Sequence, residues 1–149
     1  MTKLATGIEA IATSCIAGRL RLLNRVITNL YDDALRPFGV KLSQGNVLAV
    51  TAQLGVARPA QVCEFLEMDT STLSRTVDRM VANGWLEIVP DEDGRSQPFR
   101  LTAQGRRLME RALPAWEQAQ TQAKKLLGDD GLRLLDAAIG RVKSAHAEA

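Results

Sequence analysis

A chain of 149 residues, 46% hydrophobic and 24% charged, has the composition of one globular domain and excludes a disordered or fibrous one. Its formal charge of +2 leans basic without requiring a nucleic-acid partner. Cys15 and Cys63 stand outside any CxxC spacing, and no apolar run approaches the length of a membrane span. A disulfide framework, a metal site, a cofactor and a membrane anchor are therefore not expected, and a cytoplasmic protein is.

Residues 8–36 read as one long helix, with Ile8, Ile11, Ala12, Cys15, Leu22, Leu23, Val26 and Leu30 along one side. Such a helix spans roughly 40 Å, more than a small monomer needs to cover itself. Arg19 and Asp33 fall inside its apolar stripe, where a charge needs a partner. Pro37 and Gly39 end it. Ser43 caps a second helix through Val47, Leu48, Val50 and Leu54, stopped by Gly55. Pro59 opens a short helix whose buried side is Val62, Phe65 and Leu66. The turn EMDT leads into the helix of DTSTLSRTVDRMVANGW, residues 69–85, with Asp69 or Thr70 as N-cap. Two short helices joined by a tight turn make a helix-turn-helix, although Glu67 stands where such turns often carry glycine.

That helix buries Leu73, Val77, Met80 and Val81. Its outer side centres on Ser71, Arg75, Asp78 and Ala82, flanked by Thr72, Ser74 and Arg79. Short hydroxyl side chains with arginine suit a helix that must approach base edges closely. Asn83-Gly84 closes it. WLEIVP and PFRLT read as the two strands of a hairpin around the polar turn DEDGRSQ, with Pro98 tolerable because a two-stranded ribbon is all edge. Arg95 at the hairpin tip suits a narrowed minor groove. Thr102 caps a further helix carrying Leu108, Ala112, Leu113, Trp116, Ala119, Ala123, Leu126 and Leu127, which Pro114 is expected to kink or break. Gly128 ends it, Asp129 or Asp130 caps the last helix, and Leu132, Leu135, Ile139 and Val142 form its apolar side. The fold class predicted is mainly α with a small two-stranded β wing. It is a winged helix-turn-helix over 43–110, with 1–42 and 111–149 forming a dimerisation part of the same domain.

The stretch STLSRTVDRMVANGWLEIVPDEDGRSQPFRLTAQGRRLM resembles the MarR family of bacterial winged helix-turn-helix regulators. Leu73, Arg75, Val77, Asp78 and Gly84 carry the likeness, followed by Asp93-Gly94-Arg95, Leu101-Thr102 and Gly105. The resemblance implies a homodimeric repressor on a pseudo-palindromic operator in double-stranded DNA, released by a small-molecule effector. By the same likeness Ser71, Thr72, Ser74, Arg75 and Arg79 meet DNA from the helix and Arg95 and Gln97 from the wing. Asp93 then braces the wing against an arginine, for which Arg79 is the candidate. Arg19 either forms a salt bridge or anchors a carboxylate effector such as an aromatic acid. Cys15 is either a packing residue or, as in the peroxide-sensing OhrR type, a redox switch whose thiolate Arg19 favours. A winged-helix module that binds only protein is the remaining alternative. Catalysis is not expected: His146 is the lone histidine, and no phosphate-loop fingerprint follows a strand.

Overall fold

The computed structural model describes residues 2–148. Two compact units divide the chain: one from Ala34 to Gln118, the other the residues up to Asp33 together with those from Ala119 onward.

The Ala34–Gln118 unit begins with the end of helix α2 (Ile16–Leu35) and a 3-10 turn at Arg36–Phe38, closed by Gly39 at φ 69°. Helix α3 (Leu42–Leu54) starts two residues earlier than its hydroxyl suggests. Lys41, not Ser43, is the N-cap, and the Lys41 N–H donates to Gln44 Oε1 at 3.0 Å. Gly55, at φ 76°, ends α3. Strand β1 (Val56–Ala57), α4 (Pro59–Leu66), α5 (Thr70–Ala82), β2 (Leu86–Ile88), β3 (Phe99–Leu101) and the first part of α6 (Ala103–Ala147) follow.

The expected mainly helical fold with its hairpin is present, but the sheet has three strands rather than two. Its order is β1-β3-β2, antiparallel throughout. Val56 pairs with Arg100 and Ala57 with Phe99, so β3 is central. Pro98 is tolerated because it precedes the paired residues, and its carbonyl accepts from the Val89 N–H at 2.7 Å. Phe99, Leu48, Leu73, Met80, Leu86, Val47 and Val62 are the large side chains fully buried in the core. That core joins α3, α4 and α5 to the inner face of the sheet. Phe65 departs from expectation and is 61% exposed. α4 has eight residues, and Val62, Cys63 and Leu66 already occupy its inward side.

In the other unit, the long first helix is two. α1 (Lys3–Ser14) ends at Cys15, whose ψ of 118° is extended, and α2 begins at Ile16. Thr13 and Ser14 donate back to the carbonyls of Glu9 (2.8 Å) and Ala10 (2.7 Å), a pattern that loosens helix ends. Tyr31 is buried and donates to Gln120 Oε1, between the buried Ala119 and the end of α2. Burial raises the Tyr31 phenol pKa above its ordinary value. α6 keeps helical dihedrals through Pro114, so the helix does not break there, and leaves them only at Gly128 (φ 68°, ψ 167°), the residue expected to end it. Large apolar side chains stay exposed on this unit: Leu4, Ile8 and Ile11 on α1, Ile16, Leu20 and Leu22 on α2, and Leu134, Ile139 and Val142 on α6.

Candidate nucleic-acid interface

α4 and α5 are joined by a turn in which Glu67 takes the left-handed conformation (φ 51°, ψ 47°) and the Met68 N–H bonds the Cys63 carbonyl at 3.0 Å. The geometry is the one glycine usually supplies at a helix end. Glutamate there costs on the order of 1 kcal/mol, and the packing of Val62, Leu66 and Leu73 around the turn outweighs that cost. The helix-turn-helix therefore forms with a non-glycine turn.

Asp69 is the N-cap of α5. Its Oδ1 accepts the Thr72 N–H (2.8 Å) and the Ser71 hydroxyl (2.7 Å), and its Oδ2 accepts the Thr72 hydroxyl (2.6 Å). Two of the hydroxyls expected to meet DNA are thus committed as donors and present only acceptor lone pairs outward. Ser74, Arg75, Asp78 and Arg79 are exposed, and among the described residues the side chains of Ser74, Arg75 and Arg79 make no hydrogen bond within the chain. Leu73, Val77 and Met80 are buried on the opposite side.

Hydrogen bonds from Thr72 and Ser71 hold the Asp69 carboxyl well below the usual carboxylate range, with the Arg75 charge contributing less. A folded-state pKa below the unfolded one stabilises the fold above the unfolded value, and that gain fades as pH falls through the folded one. Asp69→Asn keeps a capping side chain but removes the titration. It is expected to be less stable than the wild type at pH 7, with the difference shrinking in urea melts taken progressively below 3.8, the ordinary aspartate value.

The far end of α5 is closed as Asn83-Gly84 suggests. Gly84 is left-handed at φ 75°, its N–H bonds Val81 O, and the Trp85 N–H bonds Met80 O, both at 2.9 Å. The next contact explains Leu101-Thr102-x-x-Gly105. The Thr102 hydroxyl donates to Gly84 O (2.6 Å) and accepts the Gly105 N–H (3.0 Å), capping α6 while holding the end of α5. Gly105 is buried against the Trp85 carbonyl, where no Cβ fits.

In the hairpin loop, Gly94 is left-handed (φ 60°) and its N–H bonds Asp91 O at 3.2 Å. Asp93, Arg95 and Gln97 are exposed. The expected brace is elsewhere. Among the described residues no ion pair joins Asp93 to Arg79; the pair that ties the loop to the helices is Arg58 with Asp91 at 3.4 Å. Ser96 joins both, accepting from Arg58 (3.0 Å) and donating to Asp91 Oδ2 (3.0 Å). The Arg58 and Ser96 hydrogen bonds lower the Asp91 pKa from its ordinary value. Three acidic residues stand together at 91–93, and nothing local distinguishes the one that a residue 33 positions away will select.

The two residues proposed for sensing lie in the other unit. Cys15 is an exposed free thiol at the break between α1 and α2, and its carbonyl accepts the Arg19 N–H at 3.1 Å as α2 begins. The Arg19 guanidinium donates to the Thr13 carbonyl at 3.4 Å, near the open end of α1. Within the Ala34–Gln118 unit lies a cavity of about 260 Å³ lined by Leu35, Val40, Leu42, Gly45, Asn46, Leu48, Ala49, Leu108, Met109, Ala112, Leu113 and Trp116. Among the described residues, no group of histidine, cysteine and acidic side chains is arranged to hold a metal ion, and no helix is long and apolar enough to cross a membrane.

Residues 38–96 match the sequence profile of the MarR family. The multiple antibiotic resistance protein MarR of Salmonella typhimurium is 28% identical over 117 residues, 76% of this chain and 81% of that protein. The uncharacterized HTH-type transcriptional regulator YwoH of Bacillus subtilis is 29% identical over 86 residues, 58% of this chain, which spans 63% of that regulator's length. Among solved structures, the M. tuberculosis transcriptional regulator MOSR in complex with DNA superimposes with a TM-score of 0.77 at 28% identity, covering 89% of this chain and 98% of that one. With α4, its left-handed turn, α5 and the hairpin arranged as they are, these likenesses converge: residues 38–96 match the MarR family, and the chain is similar to winged helix-turn-helix regulators of that family.

Proposed function

We propose that this protein is a homodimeric, sequence-specific DNA-binding repressor whose α5 enters the major groove while the hairpin tip reaches the adjacent minor groove. The observation that carries the reading is the outer face of α5. Ser74, Arg75 and Arg79 stand exposed with uncommitted donors beside a rigidly capped N-terminus. An arginine fork on a helix face of short side chains matches the paired acceptors of guanine in the major groove. Arg95 extends from the wing tip, where a narrow minor groove attracts a cation. The DNA complex of the 28% identical MOSR supports the same reading. Gln97, exposed in the wing, is assigned to the DNA face.

Dimerisation is supported by the many large apolar side chains left exposed on α1, α2 and the end of α6, which a second copy would cover. Two recognition helices related by a dyad would address half-sites about one helical turn, roughly 10 bp, apart. An effector is supported by the cavity beside α3 and α6. Its lining carries no charged side chain, so it suits the apolar body of a small molecule, with Asn46 as the polar contact. The redox reading through Cys15 has the thiol's exposure in its favour.

The test is fluorescence anisotropy with the DNA upstream of the protein's own gene, over a range of salt, with sedimentation run in parallel. The expected result is a dimer whose affinity falls steeply with salt and which prefers that DNA to unrelated duplex. Arg95→Ala is expected to weaken binding more where the flanks are A·T than where they are G·C. A stable micromolar monomer, or equal weak binding to all DNA, would refute the proposal.

A further inference from the structure

The hairpin ladder stops short of the wing tip. β2 and β3 pair as far as Ile88 with Phe99, and one more bond joins Val89 N–H to the Pro98 carbonyl. Pro90 and Pro98 have no N–H to give, so a regular ladder has no way to continue into residues 91–97. Within that segment the Gly94–Asp91 turn bond is local and says nothing about where the loop points. Among the described residues, the side-chain hydrogen bonds from the rest of the unit to this loop come from one guanidinium. Arg58 Nη1 lies 3.4 Å from Asp91 Oδ2 and 3.0 Å from Ser96 Oγ, and Nη2 lies 3.5 Å from Asp91 Oδ1. Asp91 and Ser96 are the two ends of the loop, and Ser96 bonds Asp91 as well.

Arg58 is itself firmly placed. It follows Ala57, which is fully buried and paired with Phe99, and precedes Pro59 in the first turn of α4. Its N–H donates to Gln61 Oε1 at 3.0 Å, and its carbonyl accepts from Gln61 and Val62. The residue that ends the central sheet pairing and starts the helix-turn-helix therefore also grips the loop carrying Arg95.

We propose that Arg58 is the positioning residue of the wing: by holding Asp91 and Ser96 together it fixes where Arg95 is presented to DNA. The DNA-facing half of this role rests on the DNA-binding reading above. Arg58 acts through Arg95, not by touching DNA, because its fork is turned to the two loop residues. The pair is half exposed at the arginine, with side-chain exposures of 53% and 10%, so it adds little to global stability while deciding local order.

The experiment uses Arg58→Gln and Asp91→Asn in the full chain. Trypsin cleavage after Arg95 is expected to be about fivefold or more faster in each, while the thermal midpoint moves by no more than about 3 °C. On specific DNA, Arg58→Gln is expected to weaken binding about five- to tenfold in the wild-type background. In the Arg95→Ala background it should weaken binding by less than about twofold, because residues acting through one another are not additive. Cleavage at the wild-type rate in both variants would overturn the clamp. Full additivity in the cycle would overturn the route through Arg95 and make Arg58 a direct contact. A wild type that binds no DNA would overturn the reading beneath, and with it the DNA-facing half; the cleavage rates would still decide whether Arg58 holds the loop.

Discussion

Arg75→Ala is expected to lower affinity for the specific site by about 1–3 kcal/mol at each half-site, while binding to unrelated duplex falls far less. The reason lies in what the first turn of α5 has already committed. The Ser71 and Thr72 hydroxyls donate to Asp69, and the Thr76 hydroxyl donates to the Thr72 carbonyl at 2.9 Å. Arg75 is left as the long, uncommitted donor nearest the N-terminal end of the exposed face. A guanidinium that meets two acceptors of one base discriminates sharply, and a phosphate contact does not. Competition titrations with specific and random duplex separate the two. Loss of affinity in equal proportion on both would make Arg75 a phosphate contact and return the reading of bases to Ser74 and Arg79.

Gly105→Ala is expected to cost about 3 kcal/mol or more, lowering the thermal midpoint by about 6–12 °C in a chain of this size. A Cβ at this position would stand 2.2 Å from the Trp85 carbonyl oxygen and 2.9 Å from Leu101 Cδ2. Leu101 has some freedom to turn aside. The carbonyl has almost none, because it accepts the Thr102 N–H at 3.1 Å and belongs to the residue whose own N–H closes α5. Any relief must shift α6, the end of α5 or the start of β2 together. Urea denaturation checks the figure; a variant within about 1 kcal/mol of wild type would mean that α6 slides away from the sheet more easily than its caps suggest.

Much of the Ala34–Gln118 unit was legible in the sequence because its signals are local. Asp69, Gly55, Gly84 and Thr102 each end or begin an element by a hydrogen bond or a backbone angle that reaches no further than its neighbours. The period of Leu73, Val77 and Met80 fixes the buried side of α5 in the same way. What failed was less local. β1 is two residues long and exists only because Phe99 and Arg100 pass beside it. The choice of Asp91 over Asp93 was made by Arg58, from another element. At Cys15 no glycine or proline marks the break; two hydroxyls bonding backward do. Pro114 shows the reverse: a strong local signal overridden, since α6 continues on both sides of it with helical dihedrals. The residues proposed to meet DNA, Ser71, Thr72, Ser74, Arg75, Arg79, Arg95 and Gln97, lie on α5 and the hairpin loop where the pattern put them. The sequence did not show that Asp69 engages two of the hydroxyls.

The central position of β3 leaves β1 and β2 as the two rims of the sheet. An open rim with a long row of unpaired amides invites another chain to add a strand, the route to domain swapping and fibrils. Here the rims are two and three residues long, Pro59 follows one at a distance of two residues, and Pro90 follows the other at the same distance. Neither offers an incoming strand more than a few backbone partners, and proline blocks continuation past each end. The sheet is thereby protected against growth from either rim.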